Sequence, residues 1–152
     1  AVGCSKALEM MGKGILMGLG TDGYTTDMLE SLKVANIIHK HRLGDPSVAW
    51  GEAPQMLFEN NAAICDRFFD QKVGTIQKGA LADVIVVDYQ TPTPLNENNI
   101  NSHMLFGLMG RNVVSTIVNG EYIMKNRVIQ TVDEEKIYAD SQQCAREFWK
   151  RV

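Results

Sequence analysis

Apolar and polar positions follow two rhythms along this chain, and the change falls near residue 70. In the first part, the opening stretch to about residue 13 reads as a loop with a short helix over Lys6–Met11. Residues 15 to 19, Ile-Leu-Met-Gly-Leu, are wholly apolar. Such a run predicts a short strand buried on both faces, as in a parallel sheet. Asp27, with Glu30 three residues on, marks a helix start of the capping-box kind. Met28, Leu29, Leu32, Ala35 and Ile38 then repeat at helical spacing. Val34 and Ile37 widen that stripe, so the helix is expected to be largely covered. Gly44 and Pro46 stop it. Pro54 opens another helix, with Met56, Leu57, Ala63, Ile64 and Phe68 as its expected buried side.

Beyond residue 70 the segments are shorter and suit strands. Val73–Ile76 reads as one strand, with a turn at Gly79, and Asp83–Asp88 as a second strand, apolar on both faces. A loop with Pro92, Pro94 and three asparagines leads to a short amphipathic helix at about 102 to 109. Val113–Val118, Asn119-Gly120 and Glu121–Met124 form a hairpin pattern, Asn-Gly being its strongest short-range signal. Asp133 caps a final helix carrying Ile137, Cys144, Phe148 and Trp149. The fold class expected is α+β.

Composition narrows this picture without changing it. The chain has 152 residues, enough for one real core. Its net charge of −3 implies no basic face, which argues against a nucleic-acid partner. No apolar stretch approaches the roughly 20 residues of a membrane helix. Cys4, Cys65 and Cys144 are far apart and odd in number. A disulfide framework is not expected; inert thiols in a reducing cytoplasm are.

The stretch that invites chemistry is Gly20-Thr21-Asp22-Gly23, at the end of the apolar run. An aspartate just past a buried parallel strand sits where α/β barrels place their reactive groups. There a carboxylate can hold a metal or take a proton from water, and flanking glycines let the backbone turn sharply. The same residue could instead only fix a turn or cap the next helix.

GILMGLGTDG, followed by VGTIQKGALADVIVVD and HMLFGLMGRNVVSTIVNGEYIM, resembles the amidohydrolase superfamily. Within it the resemblance is to the cytosine-deaminase-like branch of chlorohydrolases, aminohydrolases and deaminases, and most to aminohydrolases associated with selenium metabolism. It covers essentially the whole chain but only the C-terminal part of that architecture. It implies that residues 1–70 are the last strand and helices of a metal-dependent (β/α)8 barrel. Residues 71–152 are then part of a small composite β-sandwich with a closing helix. It further implies that Asp22 is a catalytic residue and metal ligand in the full-length context, on a divalent zinc or iron. The histidines and glutamate that complete the site would lie upstream. Thr25-Thr26-Asp27 departs from the Ser-Asn common after that aspartate, and Asp66-Arg67-Phe68-Phe69 from the usual Ala-x-x-Leu-Gly.

The remaining polar residues have structural readings. His39-Lys40-His41 is not the metal motif of a strand, because residues two apart on a helix point in nearly opposite directions. These histidines are read as solvated or as capping the helix end. His103 is read as structural, Asp83 as a turn carboxylate bonding backbone amides, and Arg111 with Asn112 as turn residues. Glu30 and Lys33 are read as a surface pair, and the eight methionines as core filler.

Two functions follow as expectations. One is the C-terminal fragment of a hydrolase that cleaves a C–N or C–halogen bond of a small substrate through metal-activated water. On that reading the chain alone is inactive and binds no metal. The other is a non-catalytic binding or assembly module, for which a homodimer is the expected assembly. A barrel strand without neighbours would leave residues 1 to 60 less protected, or held by a second copy.

Overall fold

The computed structural model describes residues 3–151. Helix α1 (Ala7–Gly12) leads into extended backbone, then α2 (Met28–Leu43). A composite helix, α3 (52–65), contains a π-helical stretch over Gln55–Asn60. Strand β1 (Val84–Val87) precedes a short helix, α4 (100–107), itself π-helical over His103–Gly107. Strands β2 (Val113–Val118), β3 (Glu121–Lys125) and β4 (Val128–Ile129) follow, and α5 (Glu134–Trp149) ends the described chain.

The caps explain where the long helices start and stop. Asp27 takes extended backbone and accepts the N–H groups of Leu29 and Glu30, satisfying donors that the first turn leaves free. The expected capping box is rearranged. Thr25 Oγ1 accepts the Asp27 N–H at 3.1 Å and donates to Glu30 Oε2 at 2.7 Å, so a threonine stands between cap and glutamate. Gly44 ends α2 in the left-handed conformation, at φ 62°. Asp133 caps α5 through the Lys136 N–H.

The core lies among the helices. Ala7 of α1, Leu32 and Ala35 of α2, Ala53 and Met56 of α3, and Leu105 of α4 meet in one cluster. Buried Ala49 joins them from the turn after α2. Ala49 stands at φ 62°, and its carbonyl accepts the Asn36 amide at 2.8 Å, so this backbone is held from α2. The smallness of four of these residues lets the helices approach closely.

The sheet is antiparallel, in the order β1-β2-β3-β4. Asn119 and Gly120, at φ 50° and 82°, make the tight β2–β3 turn that their sequence predicted. Asn126 and Arg127, at φ 50° and 65°, repeat that geometry before β4. The sequence reading missed β4 because arginine is no turn signal. Asp83 Oδ1 accepts the Asn119 N–H at 2.6 Å, which is the turn role expected of it.

Several expectations need correction. Residues 15–19 are extended but form no strand, and neither do Val73–Ile76. Among the described residues no neighbouring strand pairs with 15–19, and Ile15 is half exposed. The helix α2 is not largely covered: Val34 and Ile37 are 52% and 64% exposed, because only its other face meets the core. In and after α3, Ala63 and Phe68 face outward. Apolar β1 is an exposed edge, and α5 buries none of its residues. Among the described residues no helix is long and apolar enough to cross a membrane.

Leu32 is fully buried, so Leu32→Ala is expected to cost about 2–5 kcal/mol in urea unfolding. Ile137→Ala, on exposed α5, is expected to stay within about 0.5 kcal/mol. After α2, the Ser47 hydroxyl and N–H both donate to Asp45 Oδ1, which holds that carboxyl below its usual range. A lowered folded value means this contribution is present above the unfolded carboxylate range and is lost as pH falls through the folded one. Ser47→Ala is expected to move the Asp45 titration, followed by carboxyl NMR, back up.

Candidate active site around Asp22

The apolar segment delivers Asp22 onto a surface turn. Met17 and Leu19 pack against the helical core, and the chain then turns through Asp22, Gly23 and Tyr24. Asp22 adopts φ 54°, a left-handed conformation that aspartate tolerates better than most residues. Its Oδ1 accepts the Gly23 N–H at 2.7 Å, while Oδ2 has no hydrogen-bond partner among the described residues. Asp22 does not cap α2, since Asp27 does. Of the two sequence readings, the helix cap therefore fails, while the turn and the free carboxylate oxygen coexist.

Beside this turn lies an open cleft of about 470 Å³. Gly20, Asp22 and Thr25 line one side, and Val34, Ile38 and His39 of α2 the other. His39 is not solvated as expected; it is 4% exposed, and its Nδ1–H donates to the Ala35 carbonyl at 2.7 Å. Its Nε2 is buried without a partner among the described residues. His41 is exposed, so the pair does point apart, as the helical spacing requires.

The metal reading meets a clear limit in this chain. Among the described residues, no group of three or more His, Cys, Asp or Glu side chains is placed to hold an ion. One carboxylate with one free oxygen does not make a metal site, so these residues alone do not fit the metal.

A second cluster joins the two parts of the fold. Asp27 uses its other oxygen, Oδ2, to accept the Gly110 N–H at 3.0 Å. A side chain at Gly110 would overlap that carboxylate, so glycine is required there for close approach. Lys33 Nζ donates to the Leu108 carbonyl at 2.5 Å. The expected Glu30–Lys33 surface pair is therefore absent, each residue having found another partner. His103 is structural: Tyr89 Oη lies 2.9 Å from its Nδ1 and Thr93 Oγ1 3.1 Å from its Nε2, tying the 89–93 loop to α4. All three cysteines are free, and Cys144 is exposed.

Sequence reasoning missed two residues that touch the Asp22 segment. Asn60 and Asn61 bond the backbone of Met17 and Leu19. The available signal was two adjacent asparagines inside a helix, where that residue type is a poor choice.

With this geometry established, comparison with known proteins fixes the class. The sequence profile of the amidohydrolase family matches residues 1–123. The chain belongs to the amidohydrolase family. It is 32% identical over 150 residues to a 5-methylthioadenosine/S-adenosylhomocysteine deaminase of Pelotomaculum thermopropionicum, covering 95% of this chain and 34% of that protein. It is also 32% identical over 151 residues to a 5'-deoxyadenosine deaminase of Methanopyrus kandleri, covering 97% of this chain and 35% of the relative. A zinc-bound adenosine deaminase from Xanthomonas campestris superposes with a TM-score of 0.79 at 20% identity, covering 96% of this chain and 34% of that one. That likeness shows the fold. The chain thus spans about a third of the length of the relatives it matches.

The Asp27 bridge can be tested alone. Asp27→Asn keeps an oxygen for the cap but can turn an amide N–H toward the Gly110 N–H. It is expected to cost about 1–3 kcal/mol in chemical unfolding, the range for leaving a donor unmatched. A change below about 0.5 kcal/mol would show that the bridge is dispensable.

Proposed function

We propose that this chain is the C-terminal portion of a metal-dependent aminohydrolase that removes an amino group from a small nucleoside of the adenosine type. The observation that carries the reading is Asp22. It ends an apolar segment, lines a cleft, keeps one carboxylate oxygen free and holds a backbone conformation with a steric cost. The relatives support the substrate class through the reactions in their names. The amino-bearing carbon of an adenine ring is amidine-like, which suits hydrolysis by an activated water.

In the longer protein, Asp22 would give one carboxylate to a divalent zinc or iron whose other ligands lie outside these residues. The metal's contribution there is to lower the pKa of a bound water. This chain's own contribution is to orient that carboxylate and, through Asp22, to hold and pass on a proton near the leaving amine. The division near residue 70 into barrel end and sandwich segment belongs to the same proposal, and so does cleavage of a C–halogen bond as an alternative within the branch. Taken alone, the chain is proposed to be inactive.

A second reading, an assembly module that pairs with its own copy, draws on the exposed Val34, Ile37, Ile85 and Val86.

The test fuses this chain behind the N-terminal two-thirds of the Pelotomaculum relative and loads the hybrid with zinc. Adenosine-type deamination that falls at least a hundredfold on Asp22→Ala is the expected result. A folded hybrid that binds zinc but shows no loss on Asp22→Ala would overturn the assignment. The isolated chain, equilibrated with zinc and dialysed, is expected to retain none by elemental analysis; about one zinc per chain would refute the single-donor reading.

A further inference from the structure

We infer that Asn60 and Asn61 are positioning residues for Asp22. Their side-chain amides take the place of a neighbouring strand and fix where the Asp22 turn begins. This rests on the role given to Asp22 above.

The contacts are specific. Asn61 Nδ2 donates to the Leu19 carbonyl at 2.8 Å, and Asn61 Oδ1 accepts the Leu19 N–H at 3.0 Å. One side chain thus makes both bonds that a residue in an antiparallel ladder exchanges with its partner. Asn60 Nδ2 donates to the Met17 carbonyl at 2.7 Å. In extended backbone, residues two apart present their N–H and C=O groups on the same edge. The two asparagines therefore close one edge of the segment at successive positions on that edge. The opposite edge, that of Leu16, Gly18 and Gly20, makes no hydrogen bond among the described residues.

The sequence around this contact is shaped to allow it. Asn60 ends the π-helical stretch Gln55–Asn60, and Asn61 begins the α-helical turn after it. Such a stretch widens the helix and brings successive side chains closer to one direction. A Cβ on Gly18 would overlap Asn61 Oδ1 and Ile64 Cδ1, so glycine lets the segment lie against α3. Asn60 is nearly buried, and a buried amide is costly unless it bonds. Asp22 lies three residues beyond Leu19, within about 10 Å of chain, so the anchored residue sets its origin.

A merely structural role would predict lower stability and nothing more. Positioning predicts a local loss of order in a folded chain. In the isolated chain, Asn61→Ala is expected to speed Leu19 amide exchange at least tenfold. Backbone order parameters of residues 20–23 are expected to fall from about 0.85 toward 0.6, with those of α2 unchanged. Asn61→Asp keeps the volume and the acceptor but loses the donor, and covers the case in which the alanine variant does not fold. It too is expected to loosen residues 20–23. Unchanged order at 20–23 in every folded variant overturns the inference, and so does a Leu19 amide that exchanges freely in the wild type. These readouts need no activity. An inactive wild-type hybrid therefore counts against the hydrolase reading, while the order parameters still decide this one. In an active hybrid, Asn61→Ala is expected to lower kcat per bound zinc at least tenfold; a change below twofold overturns the positioning role.

Discussion

The Asp27 carboxylate is the interaction on which the two parts of this fold depend. One oxygen caps α2 and the other receives the Gly110 backbone, so a single side chain sets both the start of the longest buried helix and the approach of the sheet-bearing half. Both bonds run from backbone N–H groups to an ionised acceptor, the stronger class of hydrogen bond. The geometry leaves no choice at position 110, where any side chain would collide with the carboxylate. Lys33, one and a half turns along α2, adds a second tie to the Leu108 carbonyl. Thr25 and Glu30 then hold the Asp27 N–H from behind. The Asp22 turn is five residues upstream, so the same cap bounds it on its far side.

Backbone groups must find partners, and that constraint explains the near side of the turn. An apolar run such as 15–19 is encoded for a sheet. Where no strand pairs with it, its polar groups need other donors and acceptors. Asn61 supplies one of each to Leu19, and Asn60 supplies a donor to Met17. Asp22 is thus bracketed by two carefully bonded points, Leu19 and Asp27, with glycines between that leave the turn unencumbered. Strain at φ 54° persists because both ends are held.

Much of this was legible in the sequence where the signal is local. Asp27 and Asp133 as caps, Gly44 as a helix stop and Asn119-Gly120 as a tight turn are set by chemistry within a few residues, and each formed. The GTDG motif placed Asp22 correctly at the end of an extended apolar segment. What failed depends for the most part on a distant partner. Periodicity cannot say that Lys33 reaches residue 108 instead of Glu30, or that His39 turns inward to the Ala35 carbonyl. Nor can it show that two asparagines replace a strand, since helical asparagine reads only as a poor helix former. The strand at 15–19 was misjudged for the same reason: a run's apolar character specifies the environment it suits, and pairing specifies whether it becomes a strand.

The exposed apolar residues then follow from one argument. A helix apolar around most of its circumference belongs in a buried setting, and α2 carries Val34 and Ile37 on the side away from Leu32 and Ala35. Edge strand β1 presents Ile85 and Val86, and α5 presents Tyr138, Phe148 and Trp149. Such surfaces lie on every layer of the fold, not on one patch, so a single small ligand could not cover them. Covering them calls for apolar surface against both the helical part and the sheet. That demand agrees with a chain spanning about a third of its relatives' length, and the edge of Leu16, Gly18 and Gly20 is likewise without a hydrogen-bond partner among the described residues. A strand added at that edge would leave the asparagine bonds intact, because they occupy the other one. The clamp is therefore compatible with one neighbouring strand, at the edge of Leu16, Gly18 and Gly20.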